Sequence, residues 1–489
     1  MLFNSHIFIL LFLPLLLAGW YFLNWKKKFQ LAQGYLIGMS LWFYAYANLQ
    51  YLWLLLFSCL IGWLLSCVPE KISSEKGKKV LTGVGCVFHL GLLGYFKYSN
   101  FFLENLNTVF HTDFPMLQIL LPVGISFYTF QQLAYLIDRC RGDAPRDSFF
   151  DYLTFMVYFP QLLQGPILLR SEFMGQLKEP ERRRFHAERF SEGIQFFVFG
   201  LAKKVLLADT LAKAVNYGYS NVSMLDSISA LLLAVGYLTE LYFDFSGYCD
   251  MAVGLGKMIG LEVAENFDAP FHSASVKEFW RRWHMTLGRF FTRYVYIPLG
   301  GNRKGKMWTL CNVMIVMLLS GLWHGAAWTF VLWGFLHGVG MIWDNLEHPH
   351  LPKKWMRQAA TFAYVCMTFV FFRAESIAQG VDVLKSIVSL KWNGFVFQMA
   401  SALDLTEFYM ITKALSMKLP GLLSWFWLGI FVVLIAICFR VLSGEKVSGV
   451  VALQRQKGYG RLYPVLLAVL FTWSMISMTG VSEYLYFSF

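Results

Sequence analysis

The run Ser320-Gly-Leu-Trp-His-Gly-Ala-Ala-Trp328 sets His324 in an apolar stretch, with glycine directly after it. An imidazole exchanges its proton near pH 6.5, so at neutral pH it can draw a proton from an attacking hydroxyl as a general base. The same ring can equally hydrogen-bond between helices as packing glue, and position alone leaves both uses open. Gly321 and Gly325 would let another backbone or a substrate approach closely. A second constellation, Glu278-Phe-Trp-Arg-Arg-Trp-His284, joins a carboxylate, two cations, two indoles and a second histidine. It is followed by Arg289, Arg293 and the glycine turn Pro298-Leu-Gly-Gly-Asn-Arg-Lys-Gly305. Guanidinium forks hold phosphates through paired hydrogen bonds. A basic interfacial helix beside anionic lipid headgroups explains the same arginines without any ligand.

Glu240 and Asp244 stand four residues apart in Glu240-Leu-Tyr-Phe-Asp-Phe-Ser-Gly-Tyr-Cys-Asp250, hence on one helical face. They can sit in water, cap a neighbouring helix or orient a histidine, and spacing does not choose. Metal binding is a rival use for the ten histidines, but there is no HExxH motif and no paired Cys-His spacing. On a single ideal helix His324 and His337 would stand roughly 220° apart, so no metal centre is expected. The lack of a GxSxG elbow or P-loop removes a serine hydrolase and a P-loop pump. The final residues, Tyr484-Leu-Tyr-Phe-Ser-Phe489, read as an aromatic interface belt or as a tail that folds back to present one phenol to a buried site.

Helices must position these groups. Of 489 residues 57% are hydrophobic and only 15% charged, with a mean hydropathy of +0.50. A soluble domain carries roughly 25% charged residues, so the composition predicts a membrane protein and excludes a disordered chain. The excess of 42 Lys+Arg over 30 Asp+Glu lies between apolar runs, which points to membrane topology rather than nucleic-acid binding. The eight cysteines lie mostly inside apolar runs without CxxC spacing and read as reduced core residues. The run from about Ile7 to Leu23 has no preceding basic residue and no small-residue cleavage signal, so it reads as a retained helix.

Twelve stretches are long enough to span: 6–23, 32–48, 50–67, 80–97, 117–136, 193–211, 227–246, 307–322, 325–344, 357–373, 422–441 and 462–481. Lys26, Lys27 and Lys28 follow the first and place the N-terminus outside by the positive-inside rule. Alternating from there puts roughly three quarters of all Lys and Arg in the cytoplasm and leaves the C-terminus outside as well. The external 98–116 contains no Lys or Arg, whereas 374–421 contains four lysines and could hide a re-entrant element. The aromatic stretches 149–167 and 270–300 predict interfacial or re-entrant helices.

Six blocks together resemble the membrane-bound O-acyltransferases, and more narrowly the membrane subunit of bacterial alginate and peptidoglycan O-acetylation systems. They are Leu121-Pro-Val-Gly-Ile-Ser-Phe-Tyr-Thr-Phe130, Phe243-Asp-Phe-Ser-Gly-Tyr-Cys-Asp-Met-Ala252, Glu265-Asn-Phe267, Phe279-Trp-Arg-Arg-Trp-His284, Tyr296-Ile-Pro-Leu-Gly-Gly-Asn-Arg303 and Gly321-Leu-Trp-His-Gly-Ala-Ala-Trp-Thr-Phe330. The resemblance implies one domain over 1–489, an all-α polytopic bundle of about twelve spans around a central tunnel in the bacterial inner membrane. It implies His324 as the essential histidine, His284 as the second beside the tunnel, and acetyl-coenzyme A as cytoplasmic donor. Arg281, Arg282, Trp283, Asn266 and Arg303 are then the residues expected at the donor.

The teichoic acid D-alanylation branch shares the RRWH-like and WHG-like blocks, and D-alanyl-type transfer is the alternative reading. Its small partner peptide ends in F-x-Y-x-x-F, which residues 484–489 resemble with Tyr484 in place of the first Phe. That implies Tyr486 as an acyl-carrying phenol supplied in cis, with a separate extracytoplasmic protein passing the acetyl group to a polysaccharide. A transporter would need internal repeats or broken helices in matching halves, and no convincing repeat is present. A non-catalytic export scaffold is the third class, and it would leave replacement of His324 silent.

Overall fold

The computed structural model describes residues 1–68, 72–346, 352–442, 446–458, 460 and 462–478. Tyr486 and the tail 484–489 therefore lie outside the described residues. Every regular element among those described is helical. Among the described residues six helices are both long and apolar enough to cross a bilayer: Phe8–Trp25, Leu49–Cys67, Glu75–Phe110, Ser227–Ile259, Lys306–His324 and Pro420–Leu442. This is a multi-pass membrane protein. Phe29–Asn48, Trp328–Asn345, Lys354–Arg373 and Leu462–Ser477 are also helical but shorter or more polar.

In the most apolar window of Ser227–Ile259, 78% of residues are buried, against 17–39% in the other five spans. Those five turn most of their surface outward, where lipid satisfies apolar side chains, while Ser227–Ile259 is wrapped by protein. It also runs thirteen residues past the expected end at 246, through the whole Phe243–Ala252 block.

Two expected boundaries are corrected. The stretch 117–136 is not one helix, because the element is Ile125–Arg141 and residues 112–122 have no regular structure. Pro122 disfavours helix at the residue before it, and Gly124 takes φ +78, where an added Cβ would lie 2.6 Å from the Leu162 carbonyl oxygen. Conversely, the expected loop 98–116 is helical as far as Phe110, since a π turn at Gly94–Tyr98 carries the helix onward. The aromatic stretches 149–167 and 270–300 fold as short broken helices, among them Phe149–Val157, Val276–Arg282 and Met285–Phe291.

The chain forms two compact units. The first comprises Met1–Val198, Tyr248–Asn266 and Thr286–Leu299. Its core is aromatic, with Phe3, Phe8, Phe12, Phe43 and Phe159 buried together and Phe43 and Phe159 ring centroids 5.4 Å apart. Gly193 and Gly254 mark a close helix crossing, each lying where a Cβ would meet the other's carbonyl oxygen at 2.6 Å. The second comprises Phe199–Gly247, Phe267–Met285 and Gly300–Phe489. It contains His284, His324 and His337.

Candidate active site

His324 is the last residue of Lys306–His324, because Gly325 is fully extended and Ala327 starts the next helix, Trp328–Asn345. The two helices form a hairpin whose backbones nearly touch. A Cβ on Gly321 would stand 2.3 Å from the Phe330 carbonyl oxygen, and one on Gly334 would stand 2.4 Å from that of Met317. At Gly325 an added Cβ would overlap the Phe330 ring at 2.1 Å. These glycines draw the hairpin tight enough to enclose the imidazole. His324 is 3% exposed, with ring centroids of Trp323, Trp333 and Phe372 at 4.9, 5.1 and 5.1 Å, all edge-on.

His284 occupies the break between Val276–Arg282 and Met285–Phe291, at a left-handed φ of +46. A non-glycine residue there carries strain of order 1–3 kcal/mol, which functional sites often hold. Its ring is fully buried, edge-on to Phe245 at 4.8 Å and to Trp323 at 6.1 Å. The Trp323 indole is thus a common neighbour of both histidines. Residues forty positions apart in the chain meet at one ring.

Val276–Arg282 is started by Ser275, whose Oγ accepts the Glu278 N–H at 3.1 Å. Glu278 in turn accepts the Ala274 N–H at 2.8 Å and takes the Arg282 guanidinium through Nε and Nη2 at 3.1 and 2.9 Å. Arg282 also donates to the Asp268 carbonyl at 3.2 Å. Arg281 and Arg303 are exposed. Trp283 is buried among Phe267, Phe279 and Phe369 at 5.1–5.5 Å. Asn266 belongs to the first unit, where its Oδ1 accepts the Thr286 N–H and hydroxyl at 3.1 and 3.0 Å and its Nδ2 donates to Cys249 Sγ at 3.5 Å. The five residues expected at the donor thus occupy unlike settings: two exposed, one in a surface ion pair, two in cores.

Two features escape the sequence. Asp244 accepts Lys204 Nζ at 2.6 Å, and Lys204 also pairs with Asp209 at 2.7 Å. Lys204 lies on a π turn, Lys203–Ala208, forty residues away from Asp244, so the helical spacing of Glu240 and Asp244 could not reveal it. The second is His337. The 220° separation from His324 presumed one continuous helix, whereas the chain reverses at 325–327. The Trp333 ring lies 5.1 Å from His324 and 4.8 Å from His337.

Residues 141–379 match the sequence model of the membrane-bound O-acyltransferase family. The chain is 36% identical over 423 residues to a peptidoglycan O-acetyltransferase of Helicobacter pylori, covering 80% of each. It is 39% identical over 389 residues to a probable alginate O-acetylase of Azotobacter vinelandii, covering 77% of this chain and 76% of that one. A teichoic acid D-alanyltransferase of Bacillus subtilis is 28% identical over 271 residues, covering 52% of this chain and 69% of the relative.

Proposed function

The chain belongs to the membrane-bound O-acyltransferase family, and on that premise we propose that it carries an acetyl group from cytoplasmic acetyl-coenzyme A across the membrane. The acceptor in this reading is an extracytoplasmic polysaccharide, alginate-like, peptidoglycan or another exopolysaccharide. The bundle has twelve crossings around a tunnel in the inner membrane, with both termini outside. The single observation that carries the reading is the site itself: His324 enclosed by three aromatic rings at a helix reversal, sharing the Trp323 indole with His284.

His324 acts as general base. A sugar hydroxyl is a very weak acid, whereas a phenol has a reference pKa of about 10 and is easier to activate. The Tyr486 phenol gives its proton to His324 and its oxygen bonds to the acetyl carbonyl carbon. The carbon–sulfur bond breaks, and the departing coenzyme A thiolate takes the proton back. An acetyl-tyrosine remains, and its phenolate is a better leaving group than an alkoxide. The relay divides one hard transfer into two easier ones, and an extracytoplasmic partner protein completes the second. Arg281, Arg282 and Arg303 bind the donor phosphates in this reading, with Asn266 and Trp283 shaping that end of the site.

Mass spectrometry of the purified protein after incubation with acetyl-coenzyme A is the decisive experiment. Wild type gains one acetyl group on Tyr486, and both His324→Ala and Tyr486→Phe lose it. Normal acetyl transfer by His324→Ala, or an adduct on another residue, would overturn the base or the relay respectively.

A further inference from the structure

His337 is fully buried in the second arm of the hairpin, and both of its ring nitrogens are hydrogen-bonded. Its Nδ1 accepts the indole N–H of Trp280 at 3.2 Å. An accepting nitrogen carries no proton, so the ring proton is on Nε2 and is donated to Thr368 Oγ1, 2.9 Å away. The Thr368 hydroxyl passes the chain on to the Val365 carbonyl at 2.8 Å. Indole, imidazole and hydroxyl thus form one directed relay with a single tautomer, drawn from Val276–Arg282, Trp328–Asn345 and Lys354–Arg373.

Trp333 lies one turn before His337 on the same helix, and its ring is 4.8 Å from His337 and 5.6 Å from Trp280. Its other neighbours are Phe369, Phe372 and His324 at 5.5, 5.0 and 5.1 Å. The indole N–H of Trp333 is buried with no hydrogen-bond acceptor among the described residues, so ring contacts alone orient it. Apolar contacts are not directional, whereas the His337 relay is. We infer that His337 is a positioning residue: held neutral and in one tautomer by Trp280 and Thr368, it fixes Trp333, which sets the ring of His324. This rests on His324 being the base.

The test is steady-state acetyl transfer from acetyl-coenzyme A to the extracytoplasmic polysaccharide by the full-length protein in native membranes that retain its partner, with the amount of folded protein measured alongside. His337→Leu is expected to lower kcat about 10- to 100-fold, the scale for a displaced catalytic group, with KM for acetyl-coenzyme A within about twofold. Thr368→Val should reproduce the kcat loss in weaker form and Thr368→Ser should restore it. If His337→Leu does not accumulate, the Thr368 pair together with Trp280→Phe decides the question, since Thr368→Val removes the hydroxyl at nearly constant volume and Trp280→Phe removes the N–H that fixes the His337 tautomer. Wild-type kcat in Thr368→Val and Trp280→Phe overturns the inference, as does a matching rise in KM. Loss of activity in His324→Ala with normal kcat in these variants means that only this inference fails. Retained activity in His324→Ala removes its premise.

Discussion

The chain on either side of His284 is held by different physics. Upstream, Val276–Trp283 lies in the second unit among rings, Trp283 against Phe279 and Phe369, and Trp280 against Trp333 and His337. Downstream, Thr286–Leu299 lies in the first unit and is clamped by charge. Arg289 grips Glu172 with both Nη atoms, Arg293 reaches Asp138 and Asp143 at 3.0 Å each, and the Tyr294 hydroxyl donates to Asp138 at 2.9 Å. Paired, geometrically demanding hydrogen bonds locate a segment that water can reach. Rings pack closely and exclude water: the Trp280 N–H still finds its acceptor in His337, while that of Trp333 has none among the described residues. One short block thus divides into a part packed among rings and a part that charge anchors.

That contrast breaks most severely at Gly334. Gly334→Leu should reduce folded protein to a small fraction of wild type, because the new side chain meets the Met317 backbone rather than a flexible side chain. Normal accumulation after purification in detergent would mean that the hairpin is looser than its glycines require. On the charged side, Asp138→Ala leaves the Tyr294 hydroxyl and one Arg293 contact without their acceptor, at a cost of about 1–3 kcal/mol. Thermal unfolding should register that loss while kcat at 25 °C stays within roughly threefold of wild type, far from the loss of about 10- to 100-fold expected of His337→Leu. An equal fall in kcat for the two variants would erase the distinction between anchoring and chemistry.

Asp226 sharpens the comparison by placing a carboxylate clamp within the second unit. It accepts the Ser229 N–H and hydroxyl and the N–H groups of Asn393 and Gly394, at 2.7–3.2 Å. Burial alone would raise its pKa, but those four donors outweigh it and hold the carboxyl below the usual aspartate range. A depressed folded-state value contributes stability above the unfolded pKa of about 3.9, and that contribution is lost as pH falls through the lower folded value. The melting-temperature gap between wild type and Asp226→Asn should therefore be widest near neutrality and close below about pH 4. A gap independent of pH would show that shape rather than charge holds the loop. The smallest effect belongs to Glu278→Gln, whose pair with Arg282 is about one-third exposed on both sides. It should cost under about 1 kcal/mol and vanish in high salt, measured by thermal shift at two ionic strengths.

Much of this was legible in advance. His324 stood out because a titratable ring in an apolar run demands a reason, and the glycines beside it indicated close approach. The aromatic stretch 270–300 signalled short helices, and six of the long apolar runs are helices long and apolar enough to span. His337 was discounted because angular arithmetic assumed one helix where Gly325 ends it. Lys204 and Asp244 were invisible as a pair because their partnership depends on a helix crossing, and the Ile125 start depends on how closely Leu162 approaches Gly124.

Composition and periodicity alone determined that this chain is helical, lives in a membrane and holds histidines away from water, because those are properties of each segment against its solvent. Which rings face which histidine, which carboxylate takes which cation, and that Trp323 is shared by residues forty positions apart were decided only by tertiary structure. Side-chain contacts across helices depend on crossing geometry and on where backbones can touch, and no local pattern encodes either.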